Sequence, residues 1–203
     1  MRVERGLWWN ESDIDCAAVL FEQVASIQQH VMPHVNDRST CVQAGGNCGL
    51  FPLELVGHFS RVITAEPDPD NYAALAKNVA KYSHIQARHC AWGLGSGPLG
   101  IVTEEGNCGA TYMWGGGNIP QERVDDLGLR QCGLIYLDVE GYEEFVLRGA
   151  EKTIEFCRPT IVVEMKNLSH RYGKSDQSLS NYLISLNYYE VHHFDNDVVW
   201  RHV

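Results

Sequence analysis

Strand-like and helix-like segments alternate along the 203-residue chain, and this alternation limits the fold more than any other feature. Short β-type runs at 39–44, 61–65, 85–90, 133–137 and 160–163 are separated by segments whose apolar residues recur at helical spacing. Strands joined by helical crossovers run parallel, and the helices then cover the faces of the sheet. Two further runs, 188–192 and 198–202, flank a tight turn typical of a hairpin. We therefore expect an α/β fold of the Rossmann-like, doubly wound type, with a mostly parallel seven-stranded sheet, a C-terminal antiparallel hairpin and helices on both faces.

The segments form no repeat and no linker, so the sequence predicts one domain over residues 1–203. Residues 1–38 are expected to be a helical segment that begins at Ser12, with Asp15 three residues on. Residues 93–120 form a glycine-rich insert, predicted to be irregular with a small hairpin near 99–103. Because connections of this length are uncommon, the insert is expected to act as a lid or substrate loop near the site.

Composition excludes several classes of protein. The chain carries 16 Lys and Arg against 26 Asp and Glu, a formal net charge of −10, and shows no basic cluster, so no nucleic-acid partner is expected. No apolar run is long enough for a membrane span, and residues 1–12 lack the apolar core of a signal peptide. The seven cysteines form no CxxC pair, which indicates reduced thiols and a cytoplasmic location.

A glycine-rich turn follows the first long strand. Gly45, Gly46 and Gly49 allow a sharp turn from strand to helix, and the N–H groups at the start of that helix can hold an anion such as a carboxylate. Glu66 lies 21 positions after Gly45, at the end of the next strand, where a carboxylate can accept hydrogen bonds from both ribose hydroxyls. The turn and Glu66 together indicate a nucleoside cofactor. The alternative is a tight turn beside a surface glutamate.

Three acidic residues follow two neighbouring strands. Asp138 and Glu140 alternate along an extended segment and would face the same side, and Glu164 ends the adjacent strand. Carboxylates at the end of buried strands are costly unless they bind something. They could serve as general bases, or hold a hard cation such as Mg²⁺, although a metal is not expected. The alternative is a loop whose acidic side chains are simply solvated.

These motifs resemble those of the FkbM family of S-adenosylmethionine-dependent methyltransferases, which have the class I methyltransferase fold. The resemblance runs from about residue 41 to residue 164 and rests on four segments: 43–49, 66–78, 138–150 and 159–164. The third, Asp-x-Glu-Gly followed by Leu-x-Gly-Ala, is the most specific. Two positions depart from the family pattern, because Gln43 replaces the usual Asp and Gly46 the usual Ala. The first change removes a negative charge that would favour the ammonium and sulfonium groups of the cofactor.

The resemblance implies a set of cofactor-binding residues: Gln43, Gly45, Gly46, Asn47, Gly49, Glu66, Pro67, Asp68, Ala91, Trp92, Thr111 and Asp138. The turn at 43–49 would hold the methionine part and Glu66 the ribose. Asp68 and residues 91–92 would line the adenine, and Thr111 would reach the methionine carboxylate. The cofactor would be S-adenosyl-L-methionine and its product S-adenosyl-L-homocysteine.

The resemblance also implies O-methylation of a hydroxyl on a sugar, a glycan or a secondary metabolite. Asp138 or Glu140 would accept the hydroxyl proton, with Glu164 as an orienting partner or second acid. His170 and Arg171 follow the fifth strand and could reach the acceptor. Two alternatives remain open at this stage: an NAD(P)-dependent oxidoreductase, which would share the glycine turn and the ribose acid, and a catalytically idle module that only binds the cofactor. The sequence does not indicate an oligomeric state.

Overall fold

Strands and helices alternate through the residues that the computed structural model describes, which are 1–14, 16–104 and 106–203, with backbone only at 16–18. The elements of the first half are β1 (Arg2–Glu4), β2 (Leu7–Trp9), α1 (Cys16–His30), β3 (Thr40–Ala44), α2 (Leu50–Leu55), β4 (Arg61–Ala65), α3 (Pro69–Val79), β5 (Ile85–Arg88), β6 (Ala91–Trp92) and β7 (Leu99–Glu104). Those of the second half are β8 (Asn107–Ile119), β9 (Gln121–Glu122), β10 (Leu134–Leu137), α4 (Glu143–Arg148), α5 (Glu151–Cys157), β11 (Thr160–Glu164), α6 (Asp176–Ser185), β12 (Tyr188–Phe194) and β13 (Asp197–His202). None of these helices has the length and hydropathy needed to cross a membrane.

Seven strands form the central sheet in the order β12-β13-β11-β10-β3-β4-β5. The five strands from β11 to β5 run parallel to one another. Of the seven strands, β13 alone runs opposite to the other six, because it returns from β12 through a tight turn and inserts between β12 and β11. The predicted α/β fold with a mostly parallel seven-stranded sheet is confirmed.

The sheet is buried on both faces. Residues at successive positions of one strand point to opposite sides, as with Val62 and Ile63, and both are fully buried. On one side the sheet packs against α1, α2 and α3 through side chains such as Leu55. On the other it packs against α4, α5 and α6 through Val146 and Leu183. Helices therefore cover both faces, as predicted from the crossovers.

The N-terminal segment, residues 1–38, is not helical throughout. It opens with the β1–β2 hairpin, which the sequence did not predict because its strands are only three residues long. The side chain of Asn78 anchors this hairpin to α3: its Oδ1 accepts from the N–H of Trp8 at 2.8 Å, and its Nδ2 donates to the Trp8 carbonyl at 2.8 Å. Helix α1 begins at Cys16 rather than Ser12. The predicted role of Asp15 falls on a residue outside the described part of the chain.

The glycine-rich insert is more regular than predicted. Its main part is the long antiparallel hairpin of β7 and β8, and the residues that flank it on either side form the short parallel pair of β6 and β9. Glycine suits this hairpin because the backbone of Gly117 lies directly on that of Leu99 and Gly100, where a Cβ would overlap the main chain. The hairpin adjoins the edge of the sheet where the strand-end acids converge.

The apolar spacing after the strand at 133–137 predicts a single helix over 143–155, but the structure divides it into α4 and α5. The backbone N–H of Asp125 donates to the carbonyl of Gly149 at 3.0 Å, so the chain breaks where the helical ladder would continue. The Asp125 side chain accepts from the N–H of Thr153 at 2.9 Å, and this bond satisfies a donor in the first turn of α5. This long-range contact is invisible in a local sequence pattern.

Candidate active site

The turn after β3 is closed by hydrogen bonds within the protein. The N–H groups of Gly45 and Gly46 donate to the carbonyl oxygen of Ala65 at 3.2 and 2.9 Å. The next three N–H groups donate to the Glu66 carboxylate (2.7 Å), the Asn47 side chain (2.6 Å) and the Gly46 carbonyl (2.8 Å). The N–H groups of residues 45–49 are therefore already bonded within the protein, and the expectation that the N–H groups at the start of α2 hold a ligand carboxylate stays a prediction.

Glycine is required in this turn by close packing. Gly45 has a φ of +85°, and a Cβ there would overlap the carbonyl oxygen of Asp138. A Cβ on Gly46 would lie 2.9 Å from the side chain of Leu75, and one on Gly49 would lie 3.0 Å from the same side chain. Gly45 therefore brings the turn against the loop after β10, while the other two glycines let α3 approach.

Glu66 is buried at the end of β4, and both of its carboxylate oxygens accept hydrogen bonds from the backbone. Oε2 accepts from the N–H of Asn47 at 2.7 Å and Oε1 from the N–H of Asp68 at 2.8 Å. Burial raises the pKa of Glu66 to about 8, although the two N–H donors oppose this rise. Each oxygen keeps a further lone pair, so the ionised carboxylate can still accept from two hydroxyl groups.

The side chain of Gln43 stabilises the turn by hydrogen bonds to its backbone. This side chain is fully buried. Its Nε2 donates to the carbonyls of Ala44 (3.1 Å) and Gly45 (2.8 Å), and its Oε1 accepts from the hydroxyl of Thr64. Because all these partners belong to the chain, the amide positions the turn rather than facing a ligand.

A cavity of about 210 Å³ opens beyond the carboxyl ends of β3, β4 and β10. A single water needs only about 10–15 Å³ on this measure, so the space suits a small molecule. The predicted residues that line it are Gly45, Asn47, Glu66, Pro67, Ala91, Trp92, Thr111, Asp138 and Glu140. The predicted residues that do not line it are Gln43, Gly46, Gly49, Asp68 and Glu164.

The wall of the cavity beside Glu66 is largely apolar. Its apolar lining residues include Phe51, Ala65, Cys90, Ala91, Trp92 and Met113. A flat heterocycle needs such walls, with polar groups only at its edges. Ala91 and Trp92, which were predicted to line the adenine, are both part of this wall.

The β7–β8 hairpin closes another side of the cavity. Thr111 lines the cavity, and its hydroxyl donates to the carbonyl of Cys108 at 3.0 Å. Asp68 lies behind this wall: its Oδ1 caps α3 by accepting from Asp70 and Asn71, both at 2.9 Å, and its Oδ2 accepts from a threonine of β7 at 3.2 Å. Asp68 therefore fastens the hairpin rather than lining the cavity.

Three carboxylates converge at the far side of the cavity. Oxygens of Asp138, Glu140 and Glu164 all lie within 4.8 Å of one another. The backbone bends sharply to bring them together, with φ values of 55° at Glu140 and 99° at Gly141. A Cβ on Gly141 would also meet the backbone at 168–169, so glycine is required there.

Two cations accompany this cluster. The ammonium of Lys166 lies 2.5 Å from Glu164 and 4.0 Å from Glu140. The guanidinium of Arg171 lies 3.6 Å from Glu140 and stacks on the ring of Tyr112 in the hairpin at 4.3 Å. The sequence suggested Arg171 as a residue near the acceptor, but Lys166 was not among the predicted residues.

The cluster holds its protons more tightly than ordinary carboxyls. Burial raises the pKa of Glu140 to about 7, and Asp138 adds to the rise while Lys166 and Arg171 oppose it. Burial and the charge of Asp138 also raise the pKa of Glu164, and burial raises that of Asp138. Burial disfavours the charge of Lys166, but its hydrogen bond to Glu164 and the negative charges of the three neighbouring acids together outweigh this and raise the pKa of Lys166 to about 12. The lysine is therefore a permanent cation, and Glu140 beside it is a carboxyl that titrates near neutral pH.

Glu143, the last acid of the Asp-x-Glu-Gly-x-Glu segment, lies behind the cluster. Its Oε1 accepts from the N–H groups of Val139 (3.3 Å) and Gly141 (3.1 Å). Burial raises the pKa of Glu143 to about 7. The side chain therefore fixes the loop that carries Asp138 and Glu140.

Sequence reasoning missed two contributions to the cavity. Helix α1 supplies Val19, Leu20 and Gln23 to its lining, and Lys166 supplies a charge. An amphipathic pattern shows which face of α1 is apolar but not where that face packs. Lys166 stands two residues beyond a strand-end acid, and that proximity was the one available signal.

Several solved structures with a similar fold are methyltransferases. The methyltransferase FkbM of Methylobacillus flagellatus aligns with a TM-score of 0.61 and 22% identity, over 84% of this chain and 46% of that protein. The N-methyltransferase NodS of Bradyrhizobium japonicum gives 0.53 and 10%, over 93% of this chain and 99% of NodS. NodS with bound S-adenosyl-L-homocysteine gives 0.51 and 12%, over 96% and 91%. At these identities the similarity shows the fold, which is the α/β fold of class I methyltransferases.

A family profile described as the methyltransferase FkbM domain matches residues 49–195. The chain therefore belongs to the FkbM methyltransferase family. It spans less than half the length of the FkbM protein from Methylobacillus. No curated protein sequence matches it.

Proposed function

We propose that the chain is an S-adenosylmethionine-dependent methyltransferase that methylates a hydroxyl oxygen of a sugar, a glycan or a secondary metabolite. One observation carries this proposal: Glu66 and the pair Asp138 and Glu140 line the same cavity at the carboxyl edge of the sheet. Glu66 is thus available to the ribose diol of a bound cofactor. Asp138 and Glu140 are available as bases to an acceptor in the same cavity.

The residues of the cavity fit S-adenosyl-L-methionine. Glu66 offers unused lone pairs to a ribose diol, and the apolar wall with Ala91 and Trp92 suits an adenine ring. Asn47 and Thr111 line the cavity and offer polar side chains to the methionine part. When bound, this molecule supplies an electrophilic methyl group on a sulfonium.

The acidic cluster then serves the acceptor. A hydroxyl acceptor must lose a proton as it is methylated, and a general base works best when its pKa lies near the working pH. Glu140 meets this condition, with a pKa of about 7. Asp138 lines the cavity beside it, and Glu164 lies behind them as an orienting partner.

The departure at Gln43 does not weaken the proposal. The side chain of Gln43 is hydrogen-bonded to the turn and does not line the cavity. The negative charge of the usual Asp is therefore lost at a position outside the cavity. An idle module would need a defect in the cavity itself, and Glu66 and Asp138 are both in place there. The proposal also includes two expectations from the sequence: a cytoplasmic location, and an acceptor that is a small molecule or a glycan.

Two experiments test the proposal. In one calorimetry series the protein is titrated with S-adenosyl-L-homocysteine and with NAD⁺, and we expect binding of the first only. Cell extract is then incubated with protein and methyl-labelled donor, and mass spectrometry should find an acceptor heavier by about 14 Da, the gain of one methylation. Binding of NAD⁺ without S-adenosyl-L-homocysteine would contradict the proposal in favour of an oxidoreductase. Cofactor binding with no methylated acceptor would favour the idle module.

A further inference from the structure

Lys166 is the one basic side chain among the described residues that line the cavity. It follows β11 by two residues, and its side chain is 33% exposed. The other cation near the acids, Arg171, is turned toward the hairpin, where it stacks on Tyr112 and lies 4.0 Å from Glu104. The positive charge on the cavity side of the cluster therefore belongs to Lys166.

The ammonium of Lys166 occupies a position that suits a small cation. The oxygens of Asp138, Glu140 and Glu164 lie within 4.8 Å of one another, and three such oxygens form a ligand set of the kind that hard divalent cations prefer. Lys166 is already 2.5 Å from one of these carboxylates and 4.0 Å from another. A metal ion would have to displace it against strong charge repulsion.

Building on the proposed methyl transfer, we propose that the Lys166 ammonium is the resident cation at the acceptor end of the cavity and stabilises the acceptor oxygen as it loses its proton, in place of a divalent metal. Lys166 is then a catalytic residue that touches the acceptor, while Glu164 is a positioning residue that holds the ammonium.

The step balances as follows. The acceptor oxygen forms a bond to the methyl carbon, the carbon–sulfur bond breaks with its electron pair left on sulfur, and the acceptor proton passes to Glu140. Negative charge gathers on the acceptor oxygen as the proton leaves, and a fixed ammonium beside it lowers the energy of that state. The same ammonium repels the positive sulfonium before transfer and has no such charge to repel afterwards. Both effects favour the transition state over the ground state.

The repulsion gives a test that needs no acceptor. Calorimetry measures the dissociation constants of S-adenosyl-L-methionine and S-adenosyl-L-homocysteine, which differ by one methyl group and one positive charge, for four proteins: wild type, Lys166→Met, Lys166→Arg and Lys174→Met. Lys174 is the matched control because it is also 33% exposed and pairs with a carboxylate, that of Glu144, at 2.9 Å, but does not line the cavity.

We expect Lys166→Met to shift the preference toward S-adenosyl-L-methionine by about three- to tenfold relative to wild type, as Coulomb's law gives for one charge several ångströms from the sulfonium. Lys166→Arg and Lys174→Met should keep the wild-type preference. An unchanged preference in a folded Lys166→Met protein would overturn the proposal. Lys166→Gln replaces that variant if circular dichroism shows that it is unfolded.

A titration with Mn²⁺ alone, followed by electron paramagnetic resonance, tests the second half of the proposal. Wild type and Lys174→Met should show no bound Mn²⁺, whereas Lys166→Met should bind one ion and lose it when Glu164→Gln is added. Binding of Mn²⁺ by wild type at the cluster, or none by Lys166→Met, would overturn the proposal. If wild type binds neither nucleoside, the proposed methyl transfer fails, and the Mn²⁺ titration still decides whether Lys166 is the resident cation.

Discussion

The α-carbon of Gly45 lies against the carbonyl oxygen of Asp138, so closely that a side chain at position 45 would overlap it. The N–H of Asp138 also donates to the carbonyl of Ala44 at 3.2 Å. These contacts join the turn that would hold the cofactor to the loop that carries the acids. The two halves of the candidate site are therefore packed together as one unit, built from the ends of two adjacent parallel strands.

Replacing Gly45 by alanine should damage this unit. The new Cβ would overlap Asp138, and the φ of +85° is unfavourable for any residue with a side chain. We expect the free energy of unfolding to fall by at least about 3 kcal/mol and binding of S-adenosyl-L-homocysteine to be lost. Urea unfolding and calorimetry measure the two effects.

Gly128→Ala is the matched control for that change. Gly128 also has a positive φ, of +60°, but a Cβ there would meet nothing within 4 Å. Its cost should stay near the roughly 1–2 kcal/mol of the backbone conformation alone, with binding unchanged. If Gly45→Ala and Gly128→Ala lower the free energy of unfolding equally, the close contact between Gly45 and Asp138 is unimportant.

Glu66→Gln should weaken S-adenosyl-L-homocysteine binding by about tenfold to one hundredfold. The amide keeps an acceptor oxygen for only one of the two backbone donors and loses the charge, and hydrogen bonds to a charged group contribute about 1.5–3 kcal/mol. Calorimetry gives the dissociation constants, with Glu54→Gln as a control because Glu54 lies on α2 with a half-exposed side chain paired to His58. An affinity unchanged from wild type in the folded Glu66→Gln protein would contradict the role of this acid.

Binding of S-adenosyl-L-homocysteine should strengthen as pH rises from 6.5 to 8.5. The ionised form of Glu66 accepts the hydrogen bonds of a diol, and its pKa of about 8 means that a proton must be released at lower pH. Below that pKa the affinity should rise by at most about tenfold per pH unit and then level off. Calorimetry at several pH values measures the slope, which should largely disappear in Glu66→Gln. A flat wild-type profile would mean that Glu66 does not titrate on binding.

The folded protein should become less stable between pH 6.5 and 8.5. Burial raises the pKa of Glu66 to about 8 and those of Glu140, Glu143 and Asp197 to about 7. Ordinary carboxyls of an unfolded chain have released their protons by pH 6.5, so the folded state binds more protons in this window. Stability must then fall with rising pH, by up to about 1.4 kcal/mol per pH unit for each extra proton bound. Urea unfolding at pH 6.5 and 8.5 tests this, and a higher stability at pH 8.5 would contradict the raised pKa values.

Asp125→Ala should affect stability but not binding. The side chain of Asp125 is 3% exposed and accepts from the N–H of Thr153 at 2.9 Å and from its hydroxyl at 3.0 Å. Removing these bonds leaves buried donors without partners, at a cost of about 1–3 kcal/mol. Urea unfolding should show the loss, and calorimetry should give wild-type affinity for S-adenosyl-L-homocysteine, because Asp125 lies outside the cavity.

The strand-end acids could be predicted because parallel strands end at one edge of a sheet. Glu66, Asp138 and Glu164 all lie at or directly after the strand ends that the sequence predicted, and the topology then brings Asp138 and Glu164 together. Here local pattern and global fold agree, so reading strand ends in the sequence was sufficient.

Other features depend on contacts between distant residues. Gln43 stands in the ligand-binding motif, yet Thr64 on the next strand draws its side chain into the protein. Lys166 follows a strand in an irregular segment, where no periodicity indicates the direction of a side chain. The hairpin over 99–119 has a glycine-rich strand, and only the pairing of β7 with β8 shows why that strand is extended.

A crystal structure of the protein with S-adenosyl-L-homocysteine tests the central claim most directly. The account predicts that the ribose hydroxyls donate to Glu66 and that the adenine packs against the apolar wall that contains Ala91 and Trp92. The sulfur should face Asp138, Glu140 and Lys166. A nucleoside bound elsewhere, or a carboxyl edge closed by side chains with Glu66 out of reach of the ribose, would contradict it.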